Sequence, residues 1–138
     1  MNIHYTAILV ASVLQFIFGA VWYTPVFGKV WGKIHGFDTF SSEEQKGMMK
    51  KMIPLLAVQF IVTILTTFIF ALLIQGFPRD WNIYGLAGFF WIGFVVPTQV
   101  SAVLFGGTDP RWIVTKIAIM AGASFGCLMI VAGVLNYM

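Results

Sequence analysis

The chain has 138 residues, of which 59% are hydrophobic and 9% charged, with a net charge of +3. A soluble domain carries about 25% charged residues, so this composition excludes an ordinary water-covered surface. The charges are also segregated, leaving long windows with none, the pattern a bilayer selects.

The first window spans 3–22. Its 20 residues suffice as a helix to cross a hydrocarbon core, and helix is required because lipid cannot satisfy bare backbone amides. No Lys or Arg precedes it, and it runs into Trp22-Tyr23-Thr24-Pro25 rather than a small-residue cleavage site. It is therefore expected to remain as a membrane helix and not to act as a signal peptide.

Trp22 and Tyr23 are amphipathic rings suited to the headgroup level. Pro25 lacks a backbone donor and is expected to end or bend the helix there. Beyond it, Phe27, Val30, Trp31 and Ile34 recur at helical spacing, with Lys29 and Lys33 on another face. That pattern predicts a short amphipathic helix lying in the cytoplasmic interface, where Trp22, Tyr23, Trp31, Lys29 and Lys33 serve as anchors. An anionic-lipid or partner dock is the competing role for this stretch.

Ser41 with Glu44 fits a capping box, so a helix is predicted to begin there and run through 46–51 into the second window, 53–74, with Pro54 available to bend it. The third and fourth windows are 83–104 and 113–135. Between them, Thr108-Asp109-Pro110 offers a cap followed by proline at the first helical position. Lys116, near one end of the fourth window, is the single charged residue inside the four. It is expected to snorkel toward headgroups, with Arg111 as a companion lipid contact.

The fold class expected is all-α: one domain, 1–138, of four transmembrane helices in a small bundle, with a cytoplasmic amphipathic segment over 23–52. Seven of the eight basic residues fall in 23–52 or at the junction of the third and fourth windows, and only Arg79 falls between the second and third. Basic loops stay cytoplasmic, so both termini are expected outside.

Without a hydrophobic drive between helices in lipid, a small bundle packs through small residues and interhelical hydrogen bonds. Ala118, Gly122 and Gly126 form overlapping small-xxx-small pairs, the leading face for self-association. Gln15, Gln59 and Gln99 lie seven, six and five residues from the cytoplasmic ends of their windows, at nearly one depth. With Thr63, and with Pro97 freeing the Gly93 carbonyl, they are expected to form a polar core. An interhelical clamp is the favoured role and a permeation site for a small solute or ion the alternative.

No catalytic site, cofactor or metal is expected. His4 and His35 fall on opposite sides, no Cys/His/carboxylate cluster has zinc-like spacing, and Ser124 has no base nearby in sequence. The one cysteine, Cys127, reads as a packing residue. The basic residues are not interleaved with aromatics in a nucleic-acid pattern.

The stretch Gly19-x-x-Trp22-Tyr23-Thr24-Pro25-x-Phe27-Gly28-x-x-Trp31 resembles the first-span exit of a bacterial membrane family known as domain of unknown function 1761. Trp91-Ile92-Gly93-Phe94 and Val103-Leu104-Phe105 resemble the same family, and the likeness covers almost the whole chain. It implies a small four-span membrane protein and brings no established reaction. Residues and resemblance together point to a non-enzymatic, self-associating or accessory subunit of the bacterial cytoplasmic membrane, partnered by lipid and by itself or a larger membrane complex.

Overall fold

In the computed structural model, which describes residues 2–138, all four apolar windows are helical. The first crossing is α1 (Tyr5–Val21) extended by a π-helical segment, Trp22–Val26. After it comes the short α2 (Gly28–Ile34) and then α3 (Ser42–Gln75). The third crossing is broken into α4 (Ile83–Phe90), a second π-helical segment (Trp91–Val95) and α5 (Val96–Phe105). The last, α6 (Ile113–Tyr137), follows a 3-10 turn over Pro110–Trp112. These four crossings are long and apolar enough to span a bilayer, making the chain a multi-pass membrane protein.

Pro25 neither stops nor sharply ends the first crossing. The wide turn around it passes the hydrogen bond from the Phe27 N–H to the Trp22 carbonyl at 3.0 Å, five residues back. A π turn of this kind accommodates a residue that has no N–H to give. Ahead of Pro97 the same device recurs, with the Val96 N–H reaching the Trp91 carbonyl. Both π segments therefore open on a tryptophan.

Local signals fixed the other boundaries. Ser41 accepts from the Glu44 N–H and the Glu44 carboxylate accepts from the Ser41 N–H, both at 3.3 Å. From this box α3 runs 34 residues with Pro54 inside it. At 1.5 Å per residue it is about 51 Å long, well beyond a hydrocarbon core of about 30 Å. Asp109 caps the Pro110–Trp112 turn through the Arg111 N–H at 3.1 Å.

The helix α6 is the hub, packed against α1 on one side and α4 and α5 on the other, while α3 packs mainly on α1. Near the end bearing both termini the crossings meet in a core of Ala11, Phe70, Ala87, Val131 and Ala132. Its three alanines are fully buried, which lets backbones approach closely where lipid offers no hydrophobic drive. Phe70 of α3 reaches Phe90 of α4 edge-to-face at 6.1 Å.

Candidate functional site

Polar side chains of the first and third crossings converge on α6. Trp22, opening the first π segment, donates its indole Nε1–H to the Ile119 carbonyl at 2.9 Å. Trp91, opening the second, donates to the Ala121 carbonyl at 3.0 Å and to the Ser124 hydroxyl at 3.1 Å. Ser124 in turn lies within donating distance of Gln99 Oε1 (3.3 Å) and the Ala121 carbonyl (3.0 Å), and the Gln99 amide reaches the Met120 carbonyl at 3.4 Å. Two crossings thus hold the fourth by its backbone, from different sides. Each such bond contributes on the order of 1 kcal/mol in a membrane.

Small residues make this approach possible. The ring of Trp22 lies over Gly122, where an added Cβ would sit 2.7 Å from the indole, and the ring of Phe18 lies over Gly126 closer still. This corrects the expectation that Ala118, Gly122 and Gly126 present a free face to a second copy. Two of the three are filled from within the chain by α1 and its π segment, and Ala118 is exposed.

The three glutamines also part company. Gln15 donates to the Thr67 hydroxyl at 2.8 Å and to the Ala11 carbonyl, joining α1 to α3. Gln99 belongs to the Trp91–Ser124 cluster. Gln59 is exposed on α3, and its side-chain amide bonds nothing among the described residues; only its carbonyl is used, by the Thr63 hydroxyl at 2.8 Å. Equal depth put them at one level, but their azimuths differ, so no ring of amides forms. Thr63 is buried with its hydroxyl turned to its own helix, and Pro97 is exposed. Near Pro97 the Thr98 hydroxyl donates to the Phe94 carbonyl at 2.6 Å.

At the other end of the crossings sits an aromatic stack that carries α2. Trp22 contacts Phe18 and Phe27, and Tyr23 contacts Trp31, which contacts His35, with ring centroids 4.5–5.5 Å apart. Lys29 and Lys33 face outward while Val30, Trp31 and Ile34 are half-buried, the division expected of an interfacial helix. Lys116 places its Nζ 5.8 Å over the Trp31 ring, a cation–π contact tying α6 to α2. Arg111 instead pairs with the exposed Asp109 at 3.3 Å and stacks near Trp112. Each of the two cations therefore has a neighbour of its own within the chain.

Near the termini lies an open hollow of about 1320 Å³ bordered by Gln75, Arg79, Asp80, Trp81, Tyr84 and Asn136. Sequence reasoning marked only Arg79 among these six, for its charge, although five of them fall in the single stretch 75–84 across the α3–α4 turn, with Asn136 joining from the end of α6. It likewise left Ser124 without a partner; the signal was Trp91, whose motif was noted but whose N–H was not assigned an acceptor. Cys127 lies half-buried, with its sulfur 4.0 Å from the Gln15 carbonyl, among packing contacts.

No curated protein and no solved structure matches the chain. Trp22 and Trp91, which bond the first and third crossings to α6, both lie in the stretches whose residues resemble the family. Residues 6–136 match the family described as "Protein of unknown function (DUF1761)", and the chain belongs to that family.

Proposed function

We propose that this chain is a non-enzymatic subunit of a bacterial cytoplasmic membrane that works by assembly, with copies of itself or within a larger membrane complex. The observation that carries the reading is the uneven packing of α3. A helix of 34 residues rests mainly on α1, touches α4 through Phe70, and leaves the rest of its length bare. The interior polar groups support the same reading, because Gln15, Gln99, Ser124 and both tryptophans are engaged in fastening helix to helix. In this reading the end carrying α2 and most of the basic residues faces the cytoplasm, and both termini face outward.

Single-molecule photobleaching of labelled chain in bilayers tests it. Counts above one, or a co-purified membrane partner, are expected. A count of one with no partner recovered overturns it.

A further inference from the structure

We infer that α3 is a self-pairing helix, through which two copies of this chain associate in parallel with Gln59 against Gln59 at the seam. The inference rests on the assembly reading above and names its partner as a second copy.

The two exposed polar side chains within 53–74, Gln59 and Thr66, carry it, because both fall on one exposed heptad stripe of α3. Met48, Leu55, Val62 and Ile69 recur every seven residues, and Met52, Gln59, Thr66 and Leu73 interleave with them at alternating steps of four and three. That is the a/d repeat of a left-handed two-helix seam. All eight positions are exposed, the six apolar ones by 38–66%, so nothing within the chain occupies the stripe. The contact with α1 is made by a different side of the helix, where Thr63 and Thr67 are buried. Glu43, Lys46 and Lys50 fall outside the repeat, and Lys51 flanks it beside Met52, at the end of the span where its ammonium can turn to water.

A lipid-facing surface needs no polar atoms. Among residues 53–74 the polar side chains are Gln59, Thr63, Thr66 and Thr67; two face α1, and the two exposed ones, seven apart, both fall on the stripe. Thr66 satisfies its hydroxyl on the Val62 and Thr63 carbonyls of its own helix. The Gln59 amide has no such outlet, and an unbonded amide in hydrocarbon is costly. An amide offers both donors and an acceptor, so one glutamine satisfies an identical one reciprocally. Two chains inserted in the same sense and related by a two-fold axis normal to the membrane bring identical positions of α3 face to face, which makes the contact isologous and closed. Pro54 lies off the repeat and leaves the seam continuous.

The test places single cysteines in full-length Cys127→Ser protein in bilayers, at Leu55 and Val62 on the seam and at Ile61 and Leu65 off it. Oxidation is expected to give covalent dimers at 55 and 62 and not at 61 or 65. Gln59→Leu is expected to raise the dimer dissociation constant, read by energy transfer between labelled chains, by roughly threefold to tenfold. Because the exposed Gln59 side chain bonds no other element among the described residues, thermal unfolding of that variant is expected to be unchanged, which separates association from folding. Photobleaching counts above one with cross-links that ignore the repeat, or an unchanged dissociation constant in Gln59→Leu, overturn the seam while leaving assembly in place. Counts of one with no partner overturn both.

Discussion

A glycine on α6 is a contact surface or a bare stretch of backbone depending on what faces it, and the four crossings contain both kinds. Gly122 lies under the Trp22 indole, and Gly19 has nothing within 4 Å of where its Cβ would be. Gly122→Ala forces the indole away from the Ile119 carbonyl and is expected to destabilise the fold by about 1–3 kcal/mol. Gly19→Ala is expected to leave stability unchanged or slightly higher, since alanine is the better helix former. Equilibrium unfolding of both variants in one mild detergent checks this; equal losses would show that the Trp22 contact does not hold the helices together. The same distinction explains what could be read at this scale from sequence. Side-chain type and depth followed directly from position in each window, so the three glutamines were expected to share one polar core; Gln15 and Gln99 instead bond across to different helices. Direction around the helix did not follow, because every face of these helices is apolar and the usual polar-outward signal is missing. Gln59 and Gly122 were assigned the wrong neighbours for that reason.

Helix boundaries set by neighbours in sequence were legible, and those set by neighbours in space were not. The Ser41–Glu44 box needs only residues three apart and formed as expected. Ser41→Ala removes its hydroxyl acceptor and costs about 1 kcal/mol of local stability. Amide exchange at residues 43–45 is expected to quicken roughly fivefold, with no change across 53–74. Faster exchange throughout α3 would mean that its membrane portion depends on the N-terminal cap. The prolines show the opposite case. Pro25 reads as an end or a bend, yet Phe18, Trp22 and Phe27 pack together across the segment, and Trp22 must keep its N–H on α6. A π turn meets both requirements by letting the helix pass the proline while its tryptophan stays aimed at a carbonyl. Trp91 is held in the same way. No periodicity in either segment announces a turn whose geometry is fixed by an acceptor roughly 30 or 97 residues away.

For the molecule as a whole, crossing number followed from hydropathy, and arrangement depended on packing that hydropathy does not encode. The chain places its last helix in the centre and its second at the edge, joined through Gln15 and Thr67 and through the Phe16–Phe60 and Phe70–Phe90 ring contacts. An even number of crossings brings the termini to one end, where Ile3, His4, Gln75 and Met138 border a common cleft. The opposite end holds α2, the start of α3 and the α5–α6 turn, and with them Lys29, Lys33, Lys46, Lys50, Lys51, Arg111 and Lys116. Translocating that end would carry seven cations across the membrane against one, Arg79, for the reverse insertion. The charge difference therefore predicts a single orientation. In Cys127→Ser protein, Met138→Cys is expected to react with a membrane-impermeant maleimide in intact cells, and Ser42→Cys only after permeabilisation. Ser42 is suited to this because it is exposed and uncharged, so its replacement leaves the charge balance intact. Reaction of Ser42→Cys but not Met138→Cys in intact cells would reverse the orientation, and labelling of both would mean that the charge bias does not fix it.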